Sequence, residues 1–268
     1  IIGEDVLSTD PDSSAVRAAL EACPLVLCND LFLSPTAAAA DVVFPVAAWP
    51  EKDGTFTNFD RRVQRVRPAA DAPRGVRTDF DVLQSVAEAM GHPLGCATAA
   101  EAWAECADLA PAFAGISHTR LDRDGALHWP CGTGSPGTPR LYSERFATPD
   151  GRARFAARPY LPPGEQPDPE FPCLLITGRR AEHYNSGSMT RRTPNLRLLP
   201  RESLDLAPED AASLRLTAGD LVEVSSRRGN AVLPVRISDD IQPGQAFAAI
   251  HFPDAAVNGL TSPHVDEA

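Results

Sequence analysis

The sequence lacks any arrangement of cysteines that would hold a metal ion or an iron–sulfur cluster. None of its six cysteines belongs to a CxxC pair, and none has a histidine at metal-ligand spacing. Neither a zinc site nor an iron–sulfur site is predicted. Thiols scattered through a chain of 268 residues favour a reducing compartment, so a cytoplasmic location is predicted. The cysteines are Cys23, Cys28, Cys96, Cys106, Cys131 and Cys173.

Long apolar runs and an excess of positive charge are also missing. No run of about 18 apolar residues occurs, so no membrane span is predicted. The formal net charge is −11, from 25 basic and 36 acidic residues, which argues against a general nucleic-acid-binding surface. A local cluster of arginines is therefore an exception to the composition of the chain.

That cluster lies in residues 174–192, which read LLITGRRAEHYNSGSMTRR. An apolar strand is predicted over residues 173–176, and four arginines, a histidine, an asparagine and several hydroxyls follow it. Guanidinium forks, hydroxyls and glycine N–H groups suit a ligand rich in anionic oxygens, such as phosphate or pyrophosphate. On composition alone, a solvated basic loop is an equally good interpretation. The candidate ligand-binding residues are Gly178, Arg179, His183, Asn185, Ser188 and Thr190.

The first part of the chain alternates helix and strand patterns. A helix is predicted over residues 15–23 with a cap at Asp12 or Ser13, and strands are predicted over 25–28 and 42–46. This order is typical of a parallel α/β sheet, in which ligands bind beyond the carboxyl ends of the strands. Polar residues there could bind a guanine or ribose edge, and the alternative for each is a turn-forming role. These residues are Asp5, Thr9, Asn29 and Asp30.

The remaining patterns divide the chain into an α/β domain, a linker and a barrel. A strand over residues 61–67 and a helix over 80–90, capped by Asp79, complete an α/β domain of residues 1–115. Residues 116–170 are rich in loops and proline and form the linker, with one strand predicted over 152–157. Residues 171–268 hold short strands and one small helix, which predict a closed β-barrel. Its later strands are predicted over residues 221–224, 231–237 and 245–252.

These segments together resemble the C-terminal part of the molybdopterin-dependent oxidoreductases of the dimethyl sulfoxide reductase superfamily. The resemblance is carried by IIGEDVLSTD, by NDLFLSPTAAAADVVFPVAAWPEKDGTFTNFDRRVQR, by RTDFDVL and HWPC, and by TGRRAEHYNSGSMTRR, LVEVSSRRG and HFPDAAVNGLT. Within the superfamily, the chain resembles the catalytic α subunit of formate dehydrogenase over nearly all of its length. The resemblance implies an α/β domain, a final six-stranded double-psi β-barrel, and a bis-molybdopterin guanine dinucleotide cofactor with molybdenum or tungsten between the domains.

The resemblance also implies which residues contact this cofactor. It places Asp5, Thr9, Asn29 and Asp79 around one guanine dinucleotide. The barrel-domain loop around the other dinucleotide matches Arg179, His183, Asn185 and Ser188, and Asn258 matches a late contact. These assignments agree with the chemistry predicted from the residues themselves, so ligand binding is favoured over a solvated loop.

Family members carry an N-terminal cysteine motif for a four-iron four-sulfur cluster and a cysteine or selenocysteine that ligates the metal. No cysteine of this chain lies in a matching context, so we expect the C-terminal part of a larger subunit, inactive by itself. The expected partners are the missing N-terminal part and electron-transfer subunits. Three functions are open: a formate dehydrogenase, an assimilatory nitrate reductase, or a non-catalytic module such as the related complex I subunit. The arginine–histidine loop argues against the last, because four arginines without a ligand have no evident use.

Overall fold

The computed structural model describes residues 1–262 of the chain. These residues belong to two compact units, one of which combines Ile1–Val43 with the described residues from Pro159 onward, while the other is Phe44–Arg158. The units do not follow the boundaries at residues 115 and 170, and the three-part domain division remains a prediction. We refer to the two parts as the sheet unit and the middle unit.

The described residues contain ten strands and seven α-helices, together with short 3-10 helices and loops. The strands are β1 (Leu27–Asp30), β2 (Val42–Pro45), β3 (Gly54–Thr57), β4 (Arg62–Val66), β5 (Leu127–His128), β6 (Leu174–Gly178), β7 (Leu204–Leu206), β8 (Leu221–Ser225), β9 (Asn230–Ile237) and β10 (Gln245–Ala249). The α-helices are α1 (Val6–Thr9), α2 (Ser13–Glu21), α3 (Pro35–Ala39), α4 (Asp79–Ala89), α5 (Ala99–Leu109), α6 (His118–Asp124) and α7 (Pro208–Ser213). No helix of residues 1–262 is long and apolar enough to cross a membrane.

The beginning of the sheet unit has the predicted order of helices and strands. The predicted cap of α2 is confirmed, because the Asp12 side chain accepts a hydrogen bond from the N–H of Ala15. Strands β1 and β2 form a two-stranded sheet, and Ile2 makes a parallel bridge to Asn29. The Ser34 hydroxyl caps α3 in the same way as Asp12 caps α2. Residues 3–9 and 29–36 therefore lie where two parallel segments end.

The later part of the sheet unit is a five-stranded sheet in the order β6-β10-β7-β9-β8. The β6/β10 and β7/β9 pairs are parallel, whereas β10/β7 and β8/β9 are antiparallel. Its core holds Leu204, Leu206, Leu233 and Val235, and each fully buried side chain of this size contributes about 1.5–3 kcal/mol. Strands β6 and β8 are the edges of this sheet within the described residues.

The middle unit contains an antiparallel sheet, β3-β4-β5, and α6 packs against β4. Strands β3 and β4 are antiparallel because only four residues connect them, too few for a parallel crossover. Parallel pairing therefore does not extend through the whole of the predicted α/β domain. The core of this unit is formed by Val63, Ile116, Leu121, Leu127 and Cys131.

Three local predictions are wrong. Residues 152–157 form no strand, and Phe155 among them is fully exposed. Helix α4 is capped by Thr78, which exchanges hydrogen bonds with Asp81, and not by Asp79. Strand β10 ends at Ala249 and not at residue 252, because the chain then turns into a 3-10 helix at Pro253–Ala255.

Candidate functional site

The arginine-rich segment leaves β6 at Gly178 and forms a tight loop. The loop is closed by backbone hydrogen bonds from Gly187 N to Tyr184 O (2.9 Å) and from Arg191 N to Gly187 O (2.9 Å). Gly187 has a φ of +71°, and a Cβ at this position would lie 2.5 Å from the backbone oxygen of His251. Only glycine fits there without displacing the backbone. We call residues 178–192 the basic loop.

His183 and Thr190 hold the basic loop together from within. His183 is buried, and its Nε2 lies 2.9 Å from the carbonyl oxygen of Leu199, to which it must donate. Its Nδ1 lies 3.0 Å from the hydroxyl oxygen of Thr190, which also accepts a hydrogen bond from the N–H of Tyr184. Both nitrogens of His183 are thus used inside the chain. The geometry favours a loop-holding role for these two predicted ligand-binding residues.

The four arginines of the loop divide into two kinds. Arg180 reaches inward and donates to both carboxylate oxygens of Asp205, at 3.0 and 2.8 Å, and to Glu202 at 3.2 Å. Arg192 stacks over the Phe32 ring and donates to the carbonyl oxygen of Ser188. These two arginines anchor the loop. The sequence alone did not distinguish this anchoring role of an arginine from a ligand-binding role.

Within residues 1–262, no acidic side chain forms an ion pair with the guanidinium group of Arg179 or of Arg191. Arg179 is exposed, and its guanidinium lies 6.0 Å from the centre of the Tyr184 ring. Arg191 lies over the Phe252 ring, and its buried Nε has no hydrogen-bond partner in residues 1–262. Burial lowers the pKa of the Arg191 guanidinium, and the charge of Asp254 opposes this shift. A poorly solvated guanidinium with a free N–H is suited to meet an anion.

A second set of polar groups lies around α1. Asp5 is buried, and its Oδ1 accepts from the N–H (3.1 Å) and the hydroxyl (2.7 Å) of Thr36, whereas its Oδ2 has no partner in the described chain. Ser8 is also buried and its Oγ likewise lacks a partner. Asn258 donates from Nδ2 to the carbonyl oxygen of Ser8 at 2.6 Å, which ties the segment after β10 to α1. A cavity of about 470 Å³ adjoins Ser8 and Asn258.

The other residues predicted around α1 are engaged locally. Asp30 accepts from the N–H of Leu31 (2.7 Å) and from the Ser34 hydroxyl (2.6 Å), which is the turn-forming alternative. The Thr9 hydroxyl donates to Glu4 at 2.8 Å. Asn29 is buried and its backbone bonds to Ile1 and Gly3.

Asp79 belongs to the middle unit, whereas the other predicted ligand-binding residues belong to the sheet unit. Its carboxylate forms an ion pair with Lys52 at 2.7 Å. The contribution of Asp79 to a ligand site therefore stays a prediction from the sequence.

Both polar sets contain buried side-chain atoms that have no hydrogen-bond partner in residues 1–262. Of six such side-chain atoms in residues 1–262, four belong to Asp5, Ser8, Asn185 and Arg191. Buried polar groups in proteins are nearly always hydrogen-bonded, so these four atoms are candidates for contact with a ligand or with water. Burial lowers the pKa of the Arg191 guanidinium, and the charge of Asp5 acts weakly against this shift. Acceptors at Asp5 and Asn185 and donors at Arg191 and Ser8 suit ligand groups of both kinds, N–H groups and anionic oxygens.

The predicted set of residues omitted Ser8 and Arg191, although both stand in segments singled out by the sequence. It also omitted His251, which is fully buried against the basic loop. Their burial and pairing depend on contacts between distant parts of the chain. The spacing of residues in the sequence carries no signal for them.

No group of three or more His, Cys, Asp or Glu residues that could hold a metal ion occurs in residues 1–262. The residues described above are instead suited to the organic, anionic part of a cofactor.

Two family models match parts of the chain. Residues 1–89 match the family model "Molybdopterin oxidoreductase", and residues 173–268 match "Molydopterin dinucleotide binding domain". The chain is 40% identical to F420-dependent formate dehydrogenase 1 subunit alpha of Methanococcus maripaludis, over 99% of this chain and 40% of that protein. It is 32% identical to the assimilatory nitrate reductase catalytic subunit of Bacillus subtilis, over 97% of this chain and 38% of that protein.

A solved structure has a similar fold. Acetylene hydratase from Pelobacter acetylenicus matches with a TM-score of 0.65 and 18% sequence identity, over 92% of this chain and 36% of that protein. At this identity the likeness concerns the fold alone. The chain spans about 40% of the length of the relatives it matches.

Proposed function

Because the chain belongs to the molybdopterin oxidoreductases and carries a molydopterin dinucleotide binding domain, we propose that it is the cofactor-binding part of a formate dehydrogenase catalytic subunit. The proposal includes a bis-molybdopterin guanine dinucleotide cofactor with molybdenum or tungsten. It also includes closure of the five-stranded sheet into a six-stranded double-psi β-barrel. The observation that carries it is the concentration of unpartnered buried atoms in the two segments where the sequence predicts the dinucleotide.

Each polar set has a distinct part in holding the cofactor. Asp5 Oδ2 and Asn185 Oδ1 are acceptors for guanine N–H groups, since neither oxygen has a partner in the described chain. Arg179 and Arg191 supply donors for the pyrophosphate, and charge-assisted bonds of this kind contribute about 1.5–3 kcal/mol each. Ser188, whose hydroxyl lies 2.8 Å from that of Ser186, adds a further donor.

Further residues complete the proposed site. Gly178, Thr9, Asn29 and Asn258 remain in it as predicted contacts, and Asp79 remains a cofactor contact predicted from the sequence resemblance alone. His183, Thr190 and Asp30 shape the backbone around it through the hydrogen bonds described above. When bound, the cofactor supplies a redox-active metal centre that can take up two electrons.

The proposed reaction of the whole subunit is oxidation of formate to carbon dioxide, with release of a proton and two electrons. It is supported by 40% identity to a formate dehydrogenase α subunit along almost all of this chain. Nitrate reduction is the second candidate, supported by the lower identity of 32% to a nitrate reductase. The unpaired Arg179 and Arg191 argue against a non-catalytic module, because a fold that has lost its ligand has no need of them.

The proposed partners are the rest of the same subunit, which would carry the metal ligands and the four-iron four-sulfur cluster, and electron-transfer subunits. A cytoplasmic location is part of the proposal. It is supported by the six cysteines, all of which are free thiols.

The substrate is tested by dye reduction with the intact, cofactor-loaded subunit. We expect formate to reduce a dye such as benzyl viologen, and we expect no oxidation of reduced dye by nitrate. The 268 residues alone should be inactive in both assays. Nitrate-dependent oxidation without formate activity would replace the first candidate by the second.

A further inference from the structure

Among the described residues, His251 is the most completely enclosed histidine of the sheet unit. It follows β10, and its side chain has no solvent exposure. Its Nε2 lies 2.7 Å from the backbone nitrogen of Arg180, and its Nδ1 lies 2.6 Å from the backbone oxygen of Asn185. The two contacts reach across 71 and 66 residues of sequence to the basic loop.

These two contacts determine where the imidazole carries its proton. A carbonyl oxygen can only accept, so Nδ1 must bear the hydrogen that points to Asn185. A backbone N–H can only donate, so Nε2 must be the bare nitrogen that faces Arg180. The neutral Nδ1–H tautomer is therefore the one form that satisfies both partners. In an imidazolium, the Nε2–H group would point at the backbone N–H group of Arg180, so two donors would face each other.

The backbone groups held by His251 lie at the two ends of residues 180–185. Arg179, with its unpaired guanidinium, precedes this segment, and Asn185, with its unpartnered Oδ1, ends it. Asn185 has a φ of +47°, in the left-handed region that asparagine adopts more readily than most non-glycine residues. The hydrogen bond from His251 Nδ1 to the Asn185 carbonyl oxygen fixes this residue from outside the loop.

The surroundings of His251 leave it little freedom. The Gly187 backbone packs against the His251 carbonyl oxygen, and the His183 ring lies 5.6 Å away, centre to centre. The Arg180 side chain is independently fixed by Asp205 and Glu202. His251 thus links the end of β10 to the basic loop through two hydrogen bonds.

We propose that His251 is a positioning residue that sets the distance and direction between Arg179 and Asn185 through its Nδ1–H tautomer. The role rests on the proposed function, because Arg179 and Asn185 are taken to meet the dinucleotide. His251 itself has no free polar atom for a ligand. Its effect on binding is therefore indirect.

Two substitutions separate this role from simple space filling. Glutamine carries one acceptor and one donor at nearly the spacing of the imidazole nitrogens, so His251→Gln can keep both backbone contacts. His251→Leu fills similar volume and removes both contacts. His118→Leu is the matched control, because His118 is a buried histidine of the middle unit.

The first measurement needs no cofactor. In the 15N spectrum of the intact subunit labelled at histidine, we expect a His251 signal with a protonated Nδ1 and a bare Nε2. Amide hydrogen exchange of residues 180–187 should become faster in His251→Leu and stay near the wild-type rate in His251→Gln and His118→Leu. The opposite tautomer, or unchanged exchange in His251→Leu, would overturn the positioning role.

The second measurement uses GDP, which carries guanine and a pyrophosphate, as a probe of the cofactor-free subunit. We expect His251→Leu to bind GDP about tenfold more weakly than wild type, since two hydrogen bonds that orient the loop are lost. His251→Gln should recover most of this affinity, and His118→Leu should match wild type. Equal weakening by Gln and Leu would contradict the proposal. Failure of wild type itself to bind GDP would count against the proposed function, while the exchange rates still decide the role of His251.

Discussion

Replacing Asp205 with alanine is expected to lower the free energy of unfolding of the sheet unit by about 3–5 kcal/mol, the usual cost of removing one partner from a buried ion pair. The Asp205 side chain is 3% exposed and accepts hydrogen bonds from Arg180 and Arg236. Arg180 is itself only 10% exposed. The substitution would leave its guanidinium buried with Glu202 as the remaining acid.

Arg236→Ala is the matched comparison for this prediction. The Arg236 side chain is 53% exposed, and its loss leaves Asp205 paired with Arg180. We expect a cost below about 1 kcal/mol, as for a surface pair. Urea unfolding of both variants measures the difference. A similar small cost for both would show that the buried pair does not stabilise the sheet.

The same carboxylate predicts an acid dependence of stability. Burial opposes its ionisation, but hydrogen bonds from Arg236 and Arg180 hold the pKa of Asp205 below its ordinary value. Its contribution is therefore present above the ordinary pKa of aspartate and is lost as the pH falls through the lowered pKa of the folded state. Asp205→Ala should have a shallower loss of stability on acidification than wild type.

Replacing Gly187 with alanine is expected to be nearly as damaging, at about 2–5 kcal/mol. The left-handed backbone costs a non-glycine residue roughly 1–2 kcal/mol, and overpacking adds about 1–3 kcal/mol. The overlap here is severe, because the new Cβ would lie 2.5 Å from the His251 carbonyl oxygen. Since Gly187 lies within the basic loop, cofactor content should fall together with stability.

Gly244→Ala measures the cost of backbone strain without the steric overlap, so that the two effects can be separated. Gly244 has a φ of +81°, and a Cβ there would have no heavy atom within 4 Å. Its alanine variant should lose only the roughly 1–2 kcal/mol of backbone strain and should keep its cofactor. Thermal unfolding and cofactor content of both variants decide the matter. Equal effects would mean that the approach of the basic loop to His251 is not tight.

The order of elements in the sheet unit could be predicted from the sequence because each element carries its own local signal. Residues 174–176 are an apolar run, and the Asp12 cap precedes a helical pattern. The local pattern of residues 152–157 also predicts a strand, but these residues pair with no strand among the described residues. Local patterns indicate what a segment can form and not whether a neighbour is available.

The candidate site could be predicted as a composition but not as an arrangement. Arg179 and Arg180 are adjacent in the sequence and chemically identical, yet only Arg180 meets Asp205, which lies 25 residues away. His251 meets the basic loop from 66 residues away or more. Such pairings are set by the register of β6, β10 and β7. The sequence therefore indicated the phosphate chemistry and left open which arginine is free.

Cofactor retention by an Arg179→Ala variant of the intact subunit tests the central claim most directly. GMP released from the purified protein by acid hydrolysis measures the bound guanine dinucleotide. Loss of one charge-assisted contact should weaken retention by about ten- to a hundredfold, from 1.5–3 kcal/mol at about 1.4 kcal/mol per tenfold. Arg215→Ala is the control, because Arg215 is an exposed arginine of the same unit whose side chain has no partner in residues 1–262. We predict that Arg215→Ala keeps its GMP while Arg179→Ala loses it; equal GMP content in both variants would contradict dinucleotide binding by the basic loop.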